Sequence, residues 1–182
     1  MQFRLVYEGQ LLGQNGGAAH KWHIRKALHP QLAKLWQQEP LLSAGVSLLA
    51  SPPIPAKSSS IRQRGIVCFA PLVTFDLRLF AEVNVLLFRG CQKGSTDRSD
   101  ADNQLKTLLD ALRMPSPAQK VEKSVGESLG NPFFCLLEDD CLVTKVSLET
   151  DQWLSPRNSD DTLAIIEVHI KKAMTTFENI VF

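Results

Sequence analysis

No stretch of this 182-residue chain holds eighteen consecutive apolar side chains, so no segment reads as a membrane-spanning helix. The opening run MQFRLVYEG has neither a long apolar centre nor a small-residue cleavage site, and no secretory signal is expected. Cysteine is scarce and never spaced CxxC: Cys68, Cys91, Cys135 and Cys141 lie in or beside apolar runs, which excludes the usual zinc-ligand spacing. They read as buried free thiols in a reducing cytoplasm. The chain also lacks GxxxxGK[ST] and GxGxxG, so no nucleotide cofactor is expected, and it lacks a GxSxG elbow for covalent catalysis. Finally, there is no carboxylate from Gly9 through Gln38.

That last absence is one side of a charge asymmetry. Residues 1–75 carry eight Lys or Arg against two acids, whereas residues 76–182 carry twelve against seventeen, and the formal total is only +1. One segment thus suits phosphate and the other suits cations. Within the acid-free stretch, Lys21, Arg25, Lys26 and Lys34 recur at roughly helical spacing, so Lys21, Arg25 and Lys26 are expected to track a DNA backbone, with Arg98 adding to them. His20 and His23 have no nearby acid and are read as exposed or phosphate-facing rather than metal-bound. Trp22, Trp36 and Trp153 each have an aliphatic neighbour within two residues and are read as packing residues.

The length and the 44% hydrophobic content suit one core and one domain over 1–182. Phe3, Leu5 and Tyr7 alternate with polar or smaller neighbours, the period of a half-buried strand. After a loop at Gln14, Asn15 and Gly16, AAHKWHIRKAL reads as a helix, and Pro30 is expected to open a second one, PQLAKLWQQ. SPPIPAKSSS at 51–60 cannot hold a helix or a central strand; loop insertions are expected at 51–64 and 115–132. RGIVCFAPLV and LRLFAEVNVLLFRG read as strands that pair antiparallel through a turn near Phe75 and Asp76, the second of them central. SDADNQLKTLLDALRM is the clearest helix, with Leu105, Leu108, Leu109 and Leu112 on one stripe. FFCLLEDDCLVTKVSLE and TLAIIEVHI supply further strands, so the expected class is α/β (α+β): a mixed sheet with helices packed on it.

Two acidic groups interrupt this pattern. Asp100, Asp102 and Asn103 stand at the entrance to the leucine-striped helix, and Asp102, Lys106, Asp110 and Arg113 share its polar side. Glu138, Asp139 and Asp140 precede a strand inside a run otherwise too apolar to invite three charges. Taken singly, each has an ordinary explanation: acids cap helix starts, Asp102 and Lys106 make an i,i+4 pair, and aspartates are common in turns. Taken together, they are what phosphodiester hydrolysis needs. A hard cation such as Mg²⁺ takes carboxylate oxygens, neutralises charge on the phosphoryl group and acidifies bound water, and a lysine can assist the transition state.

DADNQLKTLLDAL followed by LLEDDCLV resembles, in order and register, the signature of the RusA-type Holliday junction resolvases. The resemblance implies a RusA-like fold in a homodimer that cleaves four-way DNA junctions in recombination and repair, with Mg²⁺ as cofactor and Mn²⁺ as a possible substitute. It implies that Asp100, Asp102 and Asp140 hold the metal and, with Lys106, are catalytic, while Asn103, Asp110 and Asp139 support them. It is strong over the central third of the chain. Family members often carry a dense arginine cluster before the first aspartate, whereas here Arg89, Lys93 and Arg98 are spread out. A non-catalytic DNA-binding module of the same fold is therefore the alternative expectation. A third is a partner-binding α/β protein whose acids only cap and turn, to be favoured if Asp140 lies far from Asp100 and Asp102.

Overall fold

Period-two burial along three segments builds the larger of two sheets. The computed structural model describes residues 1–13, 17–50, 59–90, 100–116, 130–158 and 160–182, with Asp100 described in its backbone only. The expectations for Gln14, Asn15, Gly16, Cys91, Lys93, Arg98, most of the 51–60 run and residues 117–129 fall outside these ranges. The strands are β1 (Gln2–Gln10), β2 (Arg62–Arg64), β3 (Val67–Val73), β4 (Leu79–Gly90), β5 (Phe133–Leu137), β6 (Val143–Trp153) and β7 (Asp161–Lys172). The helices are α1 (Gly17–Trp36), α2 (Leu41–Leu48) and α3 (Asp100–Leu112), with a 3₁₀ turn at Asp140–Leu142.

A four-stranded sheet in the order β1-β7-β4-β6 and a three-stranded sheet in the order β2-β3-β5 both mix parallel and antiparallel pairing. The fold is α+β. In the larger sheet, Leu5, Val83, Val85, Leu87, Ile166 and Val168 point to one face and join Ile24, Leu28 and Leu32 of α1 and Leu108 and Leu112 of α3 in a single core. Each such side chain contributes about 1.5–3 kcal/mol by leaving water. Trp22 packs instead against Phe69 and Phe133 of the smaller sheet, so α1 touches both. Trp36 is likewise buried, as expected for a packing residue.

Four expectations need correction. β3 and β4 do not pair with each other: the chain turns at 75–78, but β3 stays in the small sheet and β4 enters the large one between β7 and β6. Alternation shows that both are strands, and nothing local selects the partner. Pro30 does not start a helix but lies inside α1 on its exposed side. Its missing N–H costs about 3 kcal/mol in a helix interior, against which stand the buried Leu28, His29 and Leu32 around it. Arg62–Arg64, assigned to an insertion, form β2 against Phe69, Cys68 and Val67. Of the described cysteines only Cys135 is buried; Cys68 is half-buried and Cys141 exposed.

The two crossings from the small sheet to the large one, β3 to β4 and β5 to β6, are tied together. Arg62 donates from Nε to Glu138 at 2.6 Å and from Nη2 to Asp76 at 2.7 Å, while Glu138 also accepts from the Phe75 N–H at 3.1 Å. Glu138, the first acid of the triplet, thus locks the β3–β4 turn to the end of β5.

Candidate metal and phosphate site on helix α3

Opposite polarity on two faces orients α3. Leu108, Ala111 and Leu112 enter the core, and Gln104 and Thr107 bond the Leu11 and Gly13 carbonyls just beyond β1 at 2.8 and 3.2 Å. At its far end the Met114 N–H donates to the Leu137 carbonyl at 2.9 Å. The helix therefore runs from the β1 exit to the β5 exit.

The candidate residues divide along this axis. Asp102 and Lys106 form a 2.6 Å ion pair in the first turns, with side chains 68% and 63% exposed, so the pair is open to a ligand. Asn103 is half-buried beside them, and Asp100 opens the helix. Two turns on, Asp110 takes Lys21 from α1 and a hydrogen bond from Arg113 at 3.1 Å. Arg113 also meets Asp140 at 3.6 Å. Asp139 accepts the Cys141 N–H at 3.1 Å and caps the 3₁₀ turn, and bonds from the Cys141 thiol and backbone hold its carboxyl below the usual range.

Asp102 and Asp140 are thus held near opposite ends of α3. Arg113, the partner of Asp140, is eleven residues past Asp102, roughly 16 Å along the axis at the usual helical rise. Carboxylates sharing one Mg²⁺ each place an oxygen about 2.1 Å from it. As arranged, Asp102 and Asp140 do not fit one shared ion, and no group of three or more potential ligands converges among the described residues.

The basic helix also departs from expectation. Arg25 is 3% exposed, lies over the Trp22 ring with 5.3 Å to its centroid, and donates to the carbonyls of Asp110 at 2.7 Å and Arg113 at 3.1 Å. Burial pulls its guanidinium down to about 10, and it stays protonated at neutral pH. A cation committed to the carbonyl end of α3 caps that end and is not offered to a phosphate. Lys21 is spent on Asp110, and of the three proposed DNA contacts on α1 only Lys26 is exposed. His23 is exposed, while His20 is half-buried and accepts the Leu12 N–H at 3.1 Å.

The Lys21–Asp110–Arg113 group makes a pH prediction. Partial burial alone would raise the Asp110 carboxyl, but hydrogen bonds and charge from Lys21, then Arg113, outweigh it and hold the carboxyl below its ordinary range. A depressed folded pKa gives stability that is complete above the unfolded value near 3.8 and is lost as pH falls through the folded one. Asp110→Asn is expected to cost about 1–2 kcal/mol at neutral pH, and the gap to wild type should close below about pH 4. Urea unfolding of both proteins across that range measures it; a gap that persists undiminished at low pH would exclude the ion pairs as its source.

The sequence places Arg113 on the polar face of α3, but its bridge between Asp110 and Asp140 depends on where the chain returns after β5 and has no local signal. Arg89, one of the spread-out basic residues before Asp100 in the sequence, shares one parity with Leu79, Ala81, Val83, Val85 and Leu87 and so puts a charge on the core-facing side of β4. Among the described residues no helix is long and apolar enough to cross a membrane. Comparison with known protein families and with curated proteins finds no match for this chain.

Proposed function

We propose that this chain is a metal-dependent endodeoxyribonuclease of branched DNA, a RusA-like junction resolvase that works as a cytoplasmic homodimer in recombination and repair. The observation that supports it is the exposed Asp102–Lys106 pair at the first turns of a helix whose opposite face is core, in the chain order DADNQLK, DAL, EDD. In this reading Asp100 and Asp102 are the primary acids for Mg²⁺ or Mn²⁺, and Asp140 joins them only by leaving Arg113. Lys106 stabilises charge that develops on the phosphoryl group in the transition state. Lys106→Met is then expected to slow junction cleavage about a hundredfold while weakening junction binding less than about threefold. Equal losses in rate and affinity would reassign Lys106 to anchoring a phosphate.

The contact of Asp140 with Arg113, far from Asp102, favours a partner-binding α/β protein whose acids only cap and turn, while the spread-out arginines before Asp100 motivate a non-catalytic DNA-binding module of the same fold. The module predicts salt-sensitive junction binding with no metal-dependent cutting.

A further inference from the structure

β6 is an edge strand: among the described residues it pairs only with β4, in parallel, and no strand lies along its other side. Edge strands are usually kept short, broken by proline or bulges, or covered, because a row of unpaired N–H and C=O groups invites another chain. β6 is eleven residues long, about twice the usual strand, holds neither proline nor glycine, and keeps a regular register on β4 from Lys145 to Trp153. The opposite edge of the same sheet is treated differently. There Gln31 of α1 accepts from the Val6 N–H at 2.9 Å and donates to the Val6 carbonyl at 2.7 Å, which blocks the middle of β1.

No residue of β6 is buried, whereas β4 and β7 alternate between buried and half-buried positions. Val146 sits beside Val83 on the core-facing side and is still 40% exposed, because the core ends at this strand. A chain added along β6 would cover it.

The sequence of β6 is complementary to itself. In an antiparallel pair with a second β6, a two-fold axis at Leu148 overlaps all eleven residues, from Val143 against Trp153 of the second copy onward, and keeps like faces together. That register sets Lys145 opposite Asp151 of the second copy, and it does so twice. Val146 then meets Thr150 of the second copy, and Ser147 meets its Glu149. An axis at Glu149 would instead set that carboxylate against its own copy. Lys145 and Asp151 are both exposed and have no ion-pair partner among the described residues; Asp151 accepts only the N–H of its neighbour Gln152 at 2.7 Å. Opposite charges directly across a strand pair stabilise it, and like charges destabilise it.

We propose that this chain forms a two-fold homodimer by pairing β6 with β6 of a second copy, which joins the two large sheets into one continuous sheet. The interface gives a surface to the homodimer of the nuclease reading without resting on that reading, since neither DNA nor metal takes part in it.

Sedimentation equilibrium of the full chain, without DNA, reads the interface. Wild type is expected to be a dimer. Lys145→Glu sets carboxylates opposite each other and Asp151→Lys sets amines opposite each other, so each variant alone should raise the dimer Kd at least about tenfold. Mixed in equal amounts, the two variants should associate within about threefold of the wild-type Kd, because every cross-strand pair between them is again of opposite charge. Recovery on mixing also shows that both variants are folded. A wild type that stays monomeric up to about 100 μM overturns the proposal, as does a dimer that neither variant weakens. A dimer that is weakened but not restored by mixing overturns it too, because the loss then arises within one chain, where Lys145 neighbours Glu82 of β4.

Junction cleavage by the same wild type is a separate readout. A dimer that never cuts a junction refutes the nuclease reading and leaves the interface standing, and a monomer that cuts one does the reverse.

Discussion

Arg25→Met lowers the thermal midpoint by about 6–15 °C, the shift that a loss of about 3–4 kcal/mol produces in a chain of this size. Methionine can fill much of the volume beside Trp22, so the loss is one of hydrogen bonds and charge. The carbonyls of Asp110 and Arg113 lose their guanidinium donor in a buried position, and the negative end of α3 loses its cation. The same change would be nearly silent for stability if Arg25 were a surface phosphate contact, as the acid-free stretch around it suggests from sequence. Differential scanning calorimetry of the two proteins decides between these roles. A shift under about 2 °C would mean that α3 does not depend on this cap.

Arg25 also illustrates what the sequence can and cannot yield. Trp22, Arg25, Leu28 and Leu32 are spaced three or four apart on the buried side of α1, so helical periodicity alone places a cation inward. The density of lysine and arginine in that stretch pulls toward a basic surface, and position on the helix is the better guide. Local patterns were sufficient for β1, β4, β7 and α3, whose alternation or leucine stripe continues through the whole element. α2 is not legible because LLSAGVSL is eight residues, short for a helical period to declare itself, and its apolar residues fall in no clear order.

The division into two sheets was not legible at all. It depends on β5 lying parallel to β3 and on β6 lying parallel to β4, and parallel neighbours are joined through long connections rather than tight turns. For the same reason the two acidic groups could be found but not positioned. The triplet 138–140 sits where the chain passes from one sheet to the other, and each acid takes the partner met there: Arg62 for Glu138, the Cys141 backbone for Asp139 and Arg113 for Asp140.

The second large effect concerns activity. Asp102 is 68% exposed and its only described ion-pair partner is Lys106, so Asp102→Asn changes shape little and is expected to alter stability by no more than about 0.5 kcal/mol. If the carboxylate belongs to a cation site, however, the amide removes a formal negative charge from it, and cleavage should fall at least about a thousandfold. A charge that only caps α3 or pairs with Lys106 on the surface would leave catalysis within a few-fold, since neither role touches the reacting phosphate.

The most direct test is therefore the rate of cleavage of a labelled mobile four-way junction, beside linear duplex, by wild type and Asp102→Asn with and without Mg²⁺. The account predicts junction-selective cutting by wild type that requires the metal and disappears in the variant while its thermal midpoint holds. A wild type that binds the junction and never cuts it, or an Asp102→Asn protein that cuts it at the wild-type rate, would contradict the account.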